Sequence, residues 1–166
     1  MPRQRPVRTN AGAVACLLLL AAAAAGCGDQ DVAISSPPVS VADAAPCERL
    51  IADLPASVSD QPVREVAPAN ATFGAAWGDP PIVLRCGVPK PRGFDKFATC
   101  QVANDVGWFI PESQQTGQPH EIVMTTVGRA QYVEVRLPAE YWPPAAAMVD
   151  LAPVIKRSIR EVKPCV

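Results

Sequence analysis

The stretch His120-Glu121-Ile122-Val123-Met124-Thr125-Thr126-Val127-Gly128-Arg129-Ala130-Gln131-Tyr132-Val133-Glu134-Val135-Arg136-Leu137 decides the fold. Two runs rich in apolar and β-branched residues, His120 to Val127 and Ala130 to Leu137, are separated by Gly128-Arg129, which reads as a turn. In the second run Val133, Val135 and Leu137 alternate with Tyr132, Glu134 and Arg136. Successive strand side chains point to opposite faces, so this alternation describes an antiparallel hairpin with one dry face and one wet face. The dry face needs a covering layer.

Outward from the hairpin, Ile82 to Cys86 reads as a further strand, with Ile82, Leu84 and Cys86 on one face and Val83 and Arg85 on the other. Pro62 to Val66 reads as a first strand, and Thr72 to Pro81 as a loop rich in Gly and Pro. Past a Gly/Pro turn at Gly87 to Gly93, weaker strands near Ala98 to Ala103 and Val106 to Ile110 flank Asn104-Asp105 as a tight turn. Pro111 to Pro119 is a polar loop. A helix is expected where Cys47, Leu50, Ile51 and Leu54 fall at helical spacing before Pro55. After Pro138 to Pro144, Asp150 is expected to cap a final helix with Pro153 in its first turn and an apolar stripe of Leu151, Val154, Ile155, Ile159 and Val162. The expected fold is α+β: an antiparallel sheet of about four to five strands, disulfide-stabilised, with the N-terminal and C-terminal helices on one face.

At the N-terminus Arg3, Arg5 and Arg8 head an apolar run from Ala11 to Ala25, the architecture of a secretory signal. That run is too short to span a bilayer, which takes roughly 20 apolar residues. It closes on Ala24-Ala25-Gly26-Cys27, which resembles a lipobox. The expectation is a signal peptide over residues 1–26, lipidation at Cys27 with acyl chains such as palmitate, a flexible tether over 27–45 and one folded domain over 46–166. The protein would then sit on the extracytoplasmic face of the cell membrane, held by its lipid. A tether of 18 residues spans about 25 Å as a coil, which would let the domain float above the surface. Ala24 stands where lipoboxes usually carry Leu, and plain secretion is the alternative.

Loss of residues 1–26 removes three arginines and no acid, leaving 12 basic and 16 acidic side chains, a net charge of −4. Nucleic-acid binders carry a basic stripe with interleaved aromatics, a pattern this chain lacks. Of the six cysteines, Cys16 leaves with the signal and Cys27 is committed to lipid. Cys47, Cys86, Cys100 and Cys165 remain, an even set that implies disulfides in an exported chain. The helix stripe that includes Cys47 must rest on the sheet face that Cys86 shares with Leu84, which favours Cys47 with Cys86 and hence Cys100 with Cys165. The rival pairing, Cys86 with Cys100 and Cys47 with Cys165, stays open.

The helix that opens with Cys47 and ends at Leu54-Pro55, the run Ala76-Trp77-Gly78-Asp79-Pro80-Pro81-Ile82-Val83-Leu84-Arg85-Cys86-Gly87-Val88, and Thr126-Val127-Gly128-Arg129 before Tyr132-Val133-Glu134-Val135 together resemble a known family. It is the group of actinobacterial lipoproteins named domain of unknown function 3515, and the likeness runs from about Cys47 to Ile159. The resemblance implies a cell-envelope protein. It also implies a pair formed by Cys47 and Cys86, with Cys100 and Cys165 as an addition. It brings no activity and no cofactor.

The residues themselves offer no catalytic set. His120 is the single histidine, no G-x-S-x-G elbow is present, and no Asp spacing suggests a calcium loop. With the cysteines committed to disulfides, no metal site is expected either. Glu121 and Glu134 are the carboxylates that a small enzyme acting on cell-wall glycans or peptides would use, and this is the alternative reading. The preferred one is a non-enzymatic binding or accessory module for an unknown envelope protein or ligand. Its candidate binding residues are Trp77, Arg85, Arg129 and Tyr132. Each has an ordinary structural explanation beside the functional one: a tryptophan closing the edge of a small core, an arginine paired with a neighbouring acid.

Overall fold

The computed structural model describes residues 31–35, 38–67 and 73–165, with the side chains of 42 and 43 left undescribed. The signal segment, the lipobox and Cys27 therefore lie outside the described residues.

Among the described residues the α-helices and strands follow in the order α1 (Val41–Ala52), β1 (Ser57–Val58), β2 (Gln61–Arg64), β3 (Gly74–Trp77), β4 (Ile82–Val88), β5 (Gln101–Ala103), β6 (Val106–Phe109), β7 (Ile122–Val127), β8 (Tyr132–Leu137) and α2 (Ala145–Ser158). The strands form one sheet in the order β1-β2-β3-β4-β8-β7-β6-β5, and all the pairs are antiparallel. The sheet thus has eight strands where four to five were expected. Two of them left no legible pattern. Ser57–Val58 is too short to alternate, and Gly74–Trp77, placed in a loop by its Gly and Pro neighbours, is buried at all four positions.

The hairpin that decided the fold has the expected form, with Ile122 opposite Leu137 and Thr125 opposite Glu134. Its second arm buries Val133, Val135 and Leu137 completely. Beside it β4 buries Ile82, Leu84 and Cys86 and leaves Val83 and Arg85 half-covered. These residues make the dry face. Both helices pack on it, α1 against β4 and α2 against β1, β5 and β6, and they also touch each other. Leu50 of α1 and Leu151, Val154 and Ile155 of α2 complete a single core. Asn104 and Asp105, at φ 45° and 65°, make the tight turn between β5 and β6.

Both disulfides pair as the helix-on-sheet geometry favours. Cys47 of α1 joins Cys86 of β4 with Cα atoms 5.6 Å apart, and Cys100 joins Cys165 with Cα atoms 6.4 Å apart. The first is wholly buried between the two layers.

The helix limits differ from expectation. α1 starts at Val41, ahead of Cys47, and carries Pro46 within it. α2 starts at Ala145 because Ala145, Ala146 and Ala147 are strong helix formers and Ala147 and Met148 are buried. Asp150 and Pro153 therefore lie inside the helix rather than at its start. The Asp150 carboxylate instead accepts the Ser59 N–H at 2.8 Å, joining α2 to the turn between β1 and β2. Val162, expected in the apolar stripe, lies beyond the helix and is exposed.

Packing also begins earlier than residue 46. Val32 N–H donates to the Glu65 carbonyl at 2.9 Å and Ala67 N–H to the Val32 carbonyl at 3.1 Å. Ile34 is 1 % exposed. It lies on the face away from the helices, over Gly74, where a Cβ would stand 2.9 Å from its Cγ2. Arg85 then donates to the Ser35 carbonyl at 3.0 Å. Residues 31–35 thus form a strap on the wet face, and the packed unit takes in chain that the sequence reading gave to the tether. Gly74 and Ala76 of β3 are buried beneath it, which explains why β3 shows no alternation.

Candidate functional site

The most distinctive concavity gathers around the turn of the β7–β8 hairpin. Gly128 adopts φ +75° there, and a Cβ at that position would collide with the Lys163 carbonyl. Because glycine has none, the C-terminal tail lies directly on the turn. Val162 and Lys163 N–H groups donate to the Gly128 carbonyl at 2.8 and 3.0 Å, and Ala130 N–H donates to the Arg160 carbonyl at 2.9 Å. The Cys100–Cys165 disulfide fixes the same tail to the end of the 89–100 loop. That loop is folded by its own turns, with Phe97 N–H donating to Asp95 Oδ1 at 2.8 Å and the Phe94 ring tilted against Phe109 at 5.3 Å.

Hairpin turn, tail and loop enclose a groove of about 360 Å³. Lys90, Phe94 and Lys96 come from the loop, Arg129 and Tyr132 from the hairpin, and Lys163 from the tail. Four cationic side chains face one acid, Asp95. Arg129 is the buried member, with 4 % of its side chain exposed. Its Nη1 donates to the Ile159 carbonyl at 2.9 Å and its Nη2 to the Asp105 carbonyl at 3.0 Å. Its one carboxylate partner, Glu161, is half-exposed and stands at 3.5 Å. The buried Nε has no acceptor. A second hollow of about 450 Å³ beside the same loop carries Arg92 and Glu112, one charge of each sign, and no buried ionisable group.

The structure brings two of the four candidate binding residues together: Arg129 and Tyr132 both line the groove. Arg85 lies elsewhere, bound to the Glu134 carboxylate and to Ser35. Trp77 is wholly buried and its Nε1 donates to the Pro55 carbonyl at 3.0 Å, so it closes the core and offers no platform. Lys90, Phe94 and Lys96 carry no periodic pattern, lying in and after the Gly87 to Gly93 turn, and Lys163 lies in the tail beyond the final helix, so no sequence spacing links them. The cluster of Lys90, Arg92 and Lys96 was the available signal.

No constellation for turnover emerges from the remaining candidates. His120 Nδ1 meets the Gln118 carbonyl at 2.6 Å and the Thr116 hydroxyl at 3.4 Å. Glu121 pairs with Arg136 at 3.2 Å and Glu134 pairs with Arg85. Glu134 stands opposite Thr125, and Glu121 precedes Thr125 by four residues, about 13 Å along a strand. Glycosidase carboxylates stand roughly 5–9.5 Å apart and face one substrate bond, whereas these two are each engaged by a different arginine. Among the described residues no group of three His, Cys, Asp or Glu side chains is placed to hold a metal ion, and no helix is long and apolar enough to cross a membrane.

A family model described as "Protein of unknown function (DUF3515)" matches residues 10–164, more of the chain than the sequence motifs covered. No curated protein and no solved structure matches the chain.

Proposed function

The chain belongs to the DUF3515 family, whose function is unknown, and from that premise we propose that it is an exported, lipid-anchored binding module of the cell envelope. The observation that carries the binding part of this reading is the groove, a built concavity with a buried arginine and three exposed lysines around it. Two further features support it. Four cysteines stand in two disulfides, which belong to an oxidising compartment, and the arginine-headed apolar run ends on Ala24-Ala25-Gly26-Cys27.

The strap changes how such an anchor would act. Cys27 precedes the paired Val32 by five residues, at most about 18 Å of extended chain. An acylated Cys27 would hold the domain close to the bilayer, not at the end of a long tether. Two or more acyl chains suffice for stable attachment, since each buried methylene adds about 0.8 kcal/mol.

The test is intact mass and fractionation of the exported protein in its own cells. The expected result is a mature chain beginning at an acylated Cys27 and found with membranes, and a Cys27→Ser variant released to the soluble fraction. An unacylated wild-type chain cleaved elsewhere would refute the anchor.

A further inference from the structure

We propose that the groove binds a small phosphate-bearing ligand, its anion seated at Arg129 among Lys90, Lys96 and Lys163 and its organic part against Phe94 and Tyr132. The inference rests on the groove being the binding site of the module proposed above, and it names the ligand class.

The charge around the groove runs against the charge of the chain. The whole sequence carries a net charge of −1, yet the groove has four cations to one acid. The Lys90 ammonium lies 5.5 Å from the Phe94 ring and the Lys96 ammonium 4.8 Å from the Phe97 ring. Among the described residues no carboxylate pairs with Lys90, Lys96 or Lys163. Like charges gathered without counter-charges repel one another, and a bound anion relieves that repulsion.

Arg129 makes the argument specific. A buried charge is tolerated when it is paired and hydrogen-bonded, and this guanidinium has two neutral carbonyls, a single ion-paired acid that is itself half-exposed, and an Nε without an acceptor. An anion held in the groove by the exposed lysines adds attraction to this underpaired guanidinium, and charge-assisted bonds are about twice as strong as neutral ones. With Glu161 counted beside Arg129, two positive charges remain in excess, and a single carboxylate would offset only one of them. A phosphate ester near neutral pH carries about −1.5 to −2 and three acceptor oxygens, which matches the groove better.

Size and lining bound the rest of the ligand. A cavity of about 360 Å³ lies near the lower end of the roughly 300–1,000 Å³ range of small-molecule sites. It admits a compact ester or a lipid headgroup, and the Phe94 and Tyr132 rings give the organic portion an apolar wall.

The test uses the full chain carrying Cys27→Ser, isotopically labelled, titrated with glycerol 3-phosphate, with inorganic phosphate, and with glycerol as the uncharged control. A parallel arm uses phosphatidic acid vesicles, which present a phosphate monoester, against phosphatidylcholine vesicles. The expected result is saturable shifts confined to amides of residues 90–100, 128–132 and 162–165. Glycerol and phosphatidylcholine leave them unmoved. A Lys90→Ser, Lys163→Ser double variant, both sites being exposed, keeps the wild-type urea midpoint and binds at least tenfold more weakly. Saturation by the soluble ester identifies a free phosphate ester as ligand, and saturation by phosphatidic acid alone identifies a lipid-borne phosphate. The proposal is overturned if neither probe saturates, or if the double variant binds as tightly as wild type. Because Cys27→Ser carries no lipid, the outcome is independent of acylation, and a failed anchor would leave groove binding intact.

Discussion

Removing the two disulfides one at a time should reverse the order that loop length alone implies. Cys47 and Cys86 are 39 residues apart and Cys100 and Cys165 are 65 apart. Closing those loops in the unfolded chain stabilises the fold by about 3.9 and about 4.3 kcal/mol respectively in the chain-entropy treatment. By that measure the second bridge matters slightly more. The environments differ, however. Cys47 and Cys86 are fully buried between α1 and β4, so Cys47→Ala with Cys86→Ala also empties two sulfur positions inside the core, adding about 1–2 kcal/mol. Cys100 and Cys165 are partly exposed and join a surface loop to the tail, where water fills the gap. The core pair should therefore cost about 5–6 kcal/mol and the peripheral pair at most about 4, against total stabilities of about 5–15 kcal/mol for domains in general. The assay is urea unfolding of wild type and both double variants. With a slope of about 1.5 kcal/mol per molar, the midpoints of the two variants should differ by roughly 1 M. An equal or larger loss for Cys100→Ala with Cys165→Ala would refute the argument that burial outweighs loop length here.

The strap gives a second prediction. Ile34→Ala should lower stability by about 2–3 kcal/mol in urea unfolding, the cost of truncating a buried isoleucine, whereas a residue in a free tether would give no measurable change. A third concerns alkaline pH. Burial pushes the Tyr141 hydroxyl above its ordinary 10.0, with the Asp79 and Glu140 charges adding and the Asp79 backbone hydrogen bond and Arg64 opposing. The unfolded chain then releases this proton first, so the contribution is complete below pH 10 and is lost as pH rises through the folded value. Tyr141→Phe should flatten the fall of the thermal midpoint between pH 9 and 11, and a fall as steep as that of wild type would contradict this.

The parts of the fold that were legible in sequence share one property: each has one face in the core and one outside. Val133, Val135 and Leu137 against Tyr132, Glu134 and Arg136, and Leu84 and Cys86 against Val83 and Arg85, carry their faces in the residue order. Where both faces are covered the signal vanishes. Gly74, Ala75, Ala76 and Trp77 lie between the helix layer and the strap, so small residues replace alternation. The start of α2 was misjudged for a different reason, since Asp150 and Pro153 resemble start signals but stand inside a helix held by burial of Ala147, Met148 and Leu151.

The sequence by itself determined the antiparallel hairpin, its α+β setting and the family, and it favoured the Cys47–Cys86 bond while leaving the rival pairing open. Those features depend on residue periodicity and on spacing within short segments, which a linear chain records directly. Only the tertiary structure decided that Ile34 straps the wet face, that Trp77 and Arg85 are committed to the fold, and that Lys90, Lys96, Arg129 and Lys163 meet around one groove. Those residues stand up to 73 positions apart in sequence, and their meeting depends on a tail laid over Gly128 and fastened at Cys165. Such contacts follow from the packing of separate elements, and no local pattern encodes them.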